Sequence, residues 1–324
     1  MFRTVSDIIG PGVSRIPDGE TGSRSNWIRW QADVFQNSPD FELTTTEGGG
    51  YARRALFAFR PGTDPSKASI GPLGYSAAAR GSFEVFRALA ADGVIAPGTR
   101  FQVSLPTPVA VTTSFVVPAD RVAVEPVYRA ALLAELRDVL GHVPAGSLAI
   151  QWDVAVEFAL LENAGLTWWG APGRALDELV QRLADLGNAV PAAVRLGYHL
   201  CYGDSGHKHF TEPADTGRLV AVANGIADKL NRPLDFLHLP VPKERDDPAY
   251  FAPLAGLSIP AETELFLGLV HLTDGLPGAL RRVSAARTVR ADFGIATECG
   301  FGRRPPDTVP ELLALHRSVL DAVP

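Results

Sequence analysis

Eight short runs rich in β-branched and aromatic residues, separated by longer stretches of helical periodicity, predict an α/β protein with a (β/α)8 TIM barrel over residues 1–324, folded as a single domain. Two further observations favour the barrel over a doubly wound sheet. No Gly-x-Gly-x-x-Gly loop follows the first run, and the reactive side chains collect at the C-terminal ends of the runs, where barrel active sites are built.

The runs are Val13–Ile16, Ala55–Phe59, Phe101–Leu105, Leu148–Asp153, Val194–Leu200, Leu234–Leu239, Glu264–His271 and Asp292–Thr297. Helices are predicted over Asn26–Gln36, Ser76–Ala91, Pro126–Leu140, Arg174–Leu186, Asp215–Leu230, Leu276–Ala286 and Pro310–Val323. Pro126, Pro277 and Pro310 stand where a first helical turn tolerates proline, and Gly93, Gly141 and Gly187 close helices. The segment 39–75 is irregular and loop-rich, marked by Gly48-Gly49-Gly50 and Pro61-Gly62, and leaves the second strand weakly defined.

Composition narrows the function classes. With 46% hydrophobic and 20% charged residues the chain can bury a large core. Its 30 basic and 36 acidic residues give a net charge of −6 without a long basic run, which argues against a nucleic-acid partner. The opening Met1-Phe2-Arg3-Thr4-Val5-Ser6-Asp7 has no signal-peptide pattern, and no apolar stretch reaches the roughly 18 residues of a membrane span. The expectation is a cytoplasmic protein with no membrane partner. In that reducing compartment two cysteines serve as ligands or core, not as a disulfide.

Those two cysteines stand in His199-Leu200-Cys201-Tyr202 and Glu298-Cys299-Gly300, 98 residues apart. The spacing does not suit a small structural zinc module with its Cys-x-x-Cys pairs. If the fold joins them, His199, Cys201 and Cys299 form a metal site with an open fourth position, the catalytic arrangement for zinc. A free cysteine is otherwise a small buried hydrophobe. The barrel favours the metal reading, because Asp153 ends the fourth run, His199 and Cys201 the fifth, His238 the sixth and His271 the seventh, with Glu298 and Cys299 after the eighth. His142 and His316 fall in helical segments instead.

The His199-Leu200-Cys201-Tyr202 segment resembles the zinc-binding His-x-Cys-Tyr of the C-terminal barrel of cobalamin-independent methionine synthase, a superfamily that includes uroporphyrinogen decarboxylase-like barrels. Cys299-Gly300 followed by Arg303 and Arg304 resembles that family's late zinc cysteine. Ile150-Gln151-Trp152-Asp153 is similar to the strand whose Asp holds the amino group of homocysteine. In motif order the resemblance spans residues 95 to 324. It implies Zn2+ as cofactor, a small-molecule thiol substrate and an alkyl donor, with a zinc-dependent thiol methyl- or alkyltransferase as the activity; whether a corrinoid or a folate donates is left open. The departures are specific. Leu237-His238-Leu239-Pro240 has no carboxylate where the family's zinc Glu belongs, so either His238 takes its place or the position is open. Val154 follows the strand Asp, making Glu157 the next carboxylate. His271 and Thr273 stand where the synthase has Asp and a catalytic His. The sequence contains no counterpart of the synthase's large N-terminal half and no folate-binding segment.

Two thiolates and one imidazole leave zinc a modest Lewis acid that still deprotonates a bound thiol near neutral pH, whereas hydrolysis calls for a more electron-poor ion. The alternatives are a zinc-dependent lyase or hydrolase on the same barrel, a non-catalytic zinc-binding protein whose fourth position is closed, and a metal-free uroporphyrinogen decarboxylase-like enzyme. Catalytic candidates are His238, His271 and Asp153, against the duller roles of hydrogen-bonded core histidine and helix cap. Candidates for substrate binding are Asp18, Glu20 and Arg24 in the loop after the first run, Gln151, Asp153, Glu157 and Tyr202. Glu20 and Arg24 could equally pair with each other. Trp27 and Trp30 are expected to pack on the barrel, Trp168-Trp169 to form a lid or apolar wall, and His207-Lys208-His209 to be a solvated loop.

Overall fold

The computed structural model describes residues 1–47, 54–162, 168–169, 173–203, 209–302 and 304–323. Its strands are β1 (Arg15–Pro17), β2 (Phe41–Glu47), β3 (Arg54–Phe59), β4 (Arg100–Pro106), β5 (Leu148–Val154), β6 (Arg195–Leu200), β7 (Phe236–Pro240), β8 (Glu264–Val270) and β9 (Gly294–Thr297). Among the described residues β1, β4, β5, β6, β7, β8 and β9, in that order, make one all-parallel sheet that curls into a TIM-barrel-like α/β fold. The predicted helices are present within a few residues of their expected bounds, apart from the first and third, and the short helices Phe2–Ile9, Pro108–Phe115, Val156–Glu162 and Pro248–Phe251 are additional.

The second run does not enter this sheet. Phe57 and Phe59 of β3 lie in an antiparallel hairpin with β2, so β1 pairs directly with β4. The reason is aromatic: Phe35 packs edge-on against Phe41 at 5.2 Å and stacks on Phe57 at 5.5 Å, all three buried. This cluster ties the hairpin to helix Gln31–Asn37, and its link to the rest runs through a bridge between Phe57 and Val116. The expected Gly48-Gly49-Gly50 loop lies outside the described residues. The third predicted helix starts earlier, at Arg121, and carries Pro126 in its interior. That proline deprives the Val122 carbonyl of its helical partner, and Val122 is 66% exposed, so water can replace the bond.

Strand alternation decides what faces inward. In β4, Phe101 packs on Phe83 and Phe86 of helix Tyr75–Ala91, while Gln102 and Ser104 face the barrel interior. In β5, Trp152 and Val154 are buried and Gln151 and Asp153 line the interior. Gly197 of β6 is required here: a Cβ would fall 2.2 Å from the Phe236 ring, which crosses the floor. Arg15 completes that floor, held by Glu264 at 2.6 Å with its guanidinium over the Phe236 ring.

The corners after β4 and β5 are joined by a buried carboxyl. Thr107 caps helix Pro108–Phe115 by accepting from the Ala110 N–H, and its hydroxyl donates to Glu157 in the first turn of helix Val156–Glu162. The Ala155 N–H donates to the other Glu157 oxygen at 3.1 Å. Burial nonetheless pushes the Glu157 carboxyl up to about 7. The folded protein therefore holds a proton that the unfolded chain has released, so this group favours folding at low pH, and that contribution is lost as pH rises through about 7. Glu157→Gln should remove the dependence. In denaturant titrations its stability relative to the wild type should improve by about 2–3 kcal/mol between pH 5 and pH 8. A difference that does not vary with pH would refute the buried, proton-holding carboxyl.

Candidate metal centre

Parallel register places Asp153, His199 and His238 side by side across β5, β6 and β7. His199 is the last inward residue of β6. The Cys201 N–H then donates to the Val154 carbonyl at 2.8 Å, which keeps the chain along β5 for one more step. Gly203 turns it away at φ +85°, and its N–H donates to the Cys201 sulfur at 3.2 Å. On the opposite side β8 and β9 lose register between Leu267 and Val270. Gly268 lets the next segment approach, since a Cβ there would lie 2.7 Å from the Glu298 Cα, and Cys299 follows. The Thr297 hydroxyl donates to the Cys299 carbonyl at 2.6 Å and fixes the turn.

The result brings the expected ligand set together. The donor atoms of His199, Cys201 and Cys299 lie within 4.8 Å of one another. The two sulfurs are 3.9 Å apart, too far for a disulfide, and both cysteines are free. Tetrahedral zinc with Zn–S bonds of about 2.3 Å needs its sulfurs about 3.8 Å apart, so the donor set and its spacing fit zinc. The neighbouring Cys299 and burial raise the Cys201 thiol well above its ordinary range, the condition that a cation between the sulfurs reverses.

His238 is stacked on His199 with ring centres 4.3 Å apart. Its Nε2–H donates to the Thr297 carbonyl at 2.9 Å, which leaves Nδ1 as the acceptor. Burial, and then His199, hold its pKa well below the usual value, so the ring is neutral. It lines the cavity but does not belong to the three-residue ligand cluster.

Behind Cys299 the Glu298 carboxylate is clamped. His209 Nε2 contacts one of its oxygens and His271 Nδ1 lies 3.7 Å from the other. Burial lowers the His209 pKa, but Glu298 and then Glu212 outweigh it and raise the imidazole to about 9, giving a cation at neutral pH. His209, expected in a solvated loop, instead has only 3% of its side chain exposed. His207 and Lys208 lie outside the described residues.

A cavity of about 1090 Å3 opens above the ligands. Asp18, Glu20, Gln151, Asp153, His199, Cys201, His238 and Cys299 line it. Gln151 donates to Asp153 at 2.9 Å and orients that carboxylate. Arg24 faces Asp18 at 2.8 Å and stands behind it, not in the cavity wall. Glu20 and Trp27, whose φ values are 46° and 51°, are the non-glycine residues with left-handed backbone among the described residues, and both line the cavity. Trp27 also packs against the hydrophobic core, as expected of it.

Other expected site residues lie outside the cavity. His271 donates through Nε2 to the Val241 carbonyl at 2.8 Å and supports Glu298. The Tyr202 hydroxyl donates to Glu162 at 3.1 Å and its ring packs against Phe158. Glu157 joins the two corners described above. Trp168 donates to Thr113 and Trp169 to the Ala175 carbonyl, so they brace a wall without forming the cavity lining. Arg303 lies outside the described residues, and Arg304 does not reach the cavity. Sequence reasoning passed over Gln102 and Ser104, which line the interior and share a hydrogen bond of 3.2 Å. Their signal was present: polar residues at alternate positions of an otherwise apolar strand.

No family model matches the sequence, and no curated protein does. Solved structures do. A putative vitamin-B12 independent methionine synthase from Listeria monocytogenes is 16% identical with a TM-score of 0.55, over 98% of this chain and 84% of that one. A B12-independent methionine synthase from Shewanella sp. W3-18-1, in complex with selenomethionine, is 13% identical with a TM-score of 0.59, over 99% and 85% of the respective chains. At these identities the likeness is one of architecture: this chain has the fold of the B12-independent methionine synthase structures.

Proposed function

We propose that the chain is a zinc-dependent thiol methyl- or alkyltransferase. The observation that carries this reading is the spacing of two sulfurs at 3.9 Å beside His199, in the wall of a large cavity. His199, Cys201 and Cys299 would hold the ion, which when bound supplies Lewis acidity sufficient to deprotonate a substrate thiol near neutral pH. The likeness to methionine synthase structures supports transfer to sulfur over hydrolysis or lysis.

The protein's own residues supply the rest. Asp153, oriented by Gln151, is suited to hold a cationic group of the substrate at the strand next to His199. The neutral His238, with Nε2–H committed to Thr297, can accept a proton from an incoming thiol through Nδ1. Glu298, held by His209, fixes the backbone that carries Cys299.

Zinc per chain, measured by elemental analysis after gentle purification, is expected to be close to stoichiometric, and Cys201→Ser and Cys299→Ser should each lose most of it. Full retention in either variant removes that cysteine from the site and with it the proposed chemistry. Asp153→Asn should keep its zinc but abolish discrimination between homocysteine and its deaminated analogue 4-mercaptobutyrate. Losing a hydrogen bond to a charged group corresponds to about 10- to 100-fold weaker homocysteine binding by calorimetry. Equal binding of the two thiols by the wild type would reject the role of Asp153. His238→Ala should likewise retain zinc while slowing alkylation of a bound thiol by iodomethane about 100-fold. An unaltered rate with full zinc content would assign His238 to packing alone.

A further inference from the structure

The cavity extends past the ligands into a branch that the proposed reaction does not use. Among the described residues no ladder joins β1 to β9, the two ends of the sheet. Near the ligands this gap is closed by loops: a Cβ on Gly302 would lie 3.0 Å from the Ser25 carbonyl. Elsewhere the cavity enters the gap, lined by Val5 and Ile9 of helix Phe2–Ile9, Ile295 and Ala296 of β9, and Leu313 and Leu320 of helix Val309–Ala322. Ile295 and Ala296 are partly exposed, and Leu320 is 41% exposed at the outer end.

The branch is apolar by construction. Its titratable side chains are engaged: the His316 Nδ1–H donates to the Leu312 carbonyl at 2.7 Å, and Arg15 is held by Glu264. The whole cavity, about 1090 Å3, is larger than a short thiol and a methyl donor fill, and small-molecule sites run to about 1000 Å3. Apolar walls continuous with the two thiolate ligands and leading outward to a half-exposed leucine fit one occupant, an aliphatic chain attached to the molecule whose sulfur is handled at the ligands.

We infer that the substrate carries an unbranched aliphatic chain that lies between β1 and β9, extending toward Leu320. The sulfur end rests on the thiol-transfer reading; the chain end rests on the cavity alone. The test therefore uses n-alcohols from butanol to octanol, which have no thiol and need no metal, with binding followed by the fluorescence of Trp27 in the cavity wall. Affinity should rise about fourfold per added methylene in the wild type and in Cys201→Ser alike. Ala296→Phe, which fills the branch, should flatten the series. Leu320→Glu, at a position already exposed and therefore safe for folding, should weaken octanol at least tenfold and leave butanol unchanged. A series flat in the wild type, or a rise untouched by both substitutions, overturns the inference. Loss of zinc binding with an intact alcohol series would overturn the sulfur chemistry and leave the chain site standing.

Discussion

Two sulfurs 3.9 Å apart, on a buried Cys201 and a partly buried Cys299, set the terms for everything around them. Thiols at that distance do not readily both ionise unless positive charge stands between them, and Cys201 alone is already pushed up by Cys299 and by burial. Two of the neighbouring histidines do not supply it. His238 is held neutral, and the His209 cation is spent on Glu298. Under the proposed function a bound cation would supply that charge, and its binding would release protons. The backbone is shaped to preserve the separation. The irregularity between β8 and β9, the close approach at Gly268 and the left-handed turn at Gly203 each bring one cysteine to its place without a long loop.

The sheet that carries these residues is under a second constraint. A closed barrel leaves no strand edge, whereas here β1 and β9 end the sheet without pairing to each other. Helices Phe2–Ile9 and Val309–Ala322 and the Gly302 approach to Ser25 stand in for the missing ladder. The substitution is incomplete, which is why β9 remains half-buried and why the interior reaches the surface there. On its other flank β1 pairs directly with β4, and the aromatic hairpin stays outside the sheet.

How much of this the sequence revealed follows from geometry. Residues within a strand, such as Asp153, His199 and His238, have directions fixed by alternation, and His199, Cys201 and Cys299 converge as their local sequences suggest. Beyond the end of the strand, alternation gives no guidance. Tyr202, two residues past β6, and Glu157, three past β5, each turn away from the cavity, to Glu162 and to Thr107 respectively. His271 belongs with them, since the bulge before it shifts the side chain behind Glu298. The hairpin was unreadable for another reason. Phe57 and Phe59 have the composition of a barrel strand, and only the packing of Phe35 and Phe41 decides where they go. Local pattern marks a strand but does not choose its partner.

Likeness of fold leaves the chemistry to be argued from the site. A divalent ion with two thiolates and an imidazole sums to zero charge, and a carboxylate ligand of the kind the resemblance leads one to expect would make that −1. This chain has His238 in the corresponding strand, so a substrate thiolate would bring the complex to −1 and not −2. Less accumulated negative charge eases removal of the thiol proton and weakens the sulfur as a nucleophile. Under the proposed function the burden of catalysis would then move from basicity to position, because holding reactants in line can replace reactivity lost to charge. The cavity is arranged for that role: Asp153 and Gln151 fix one side of the ligands, Glu20 and Trp27 are held in strained backbone on another, and the apolar branch leads away between β1 and β9.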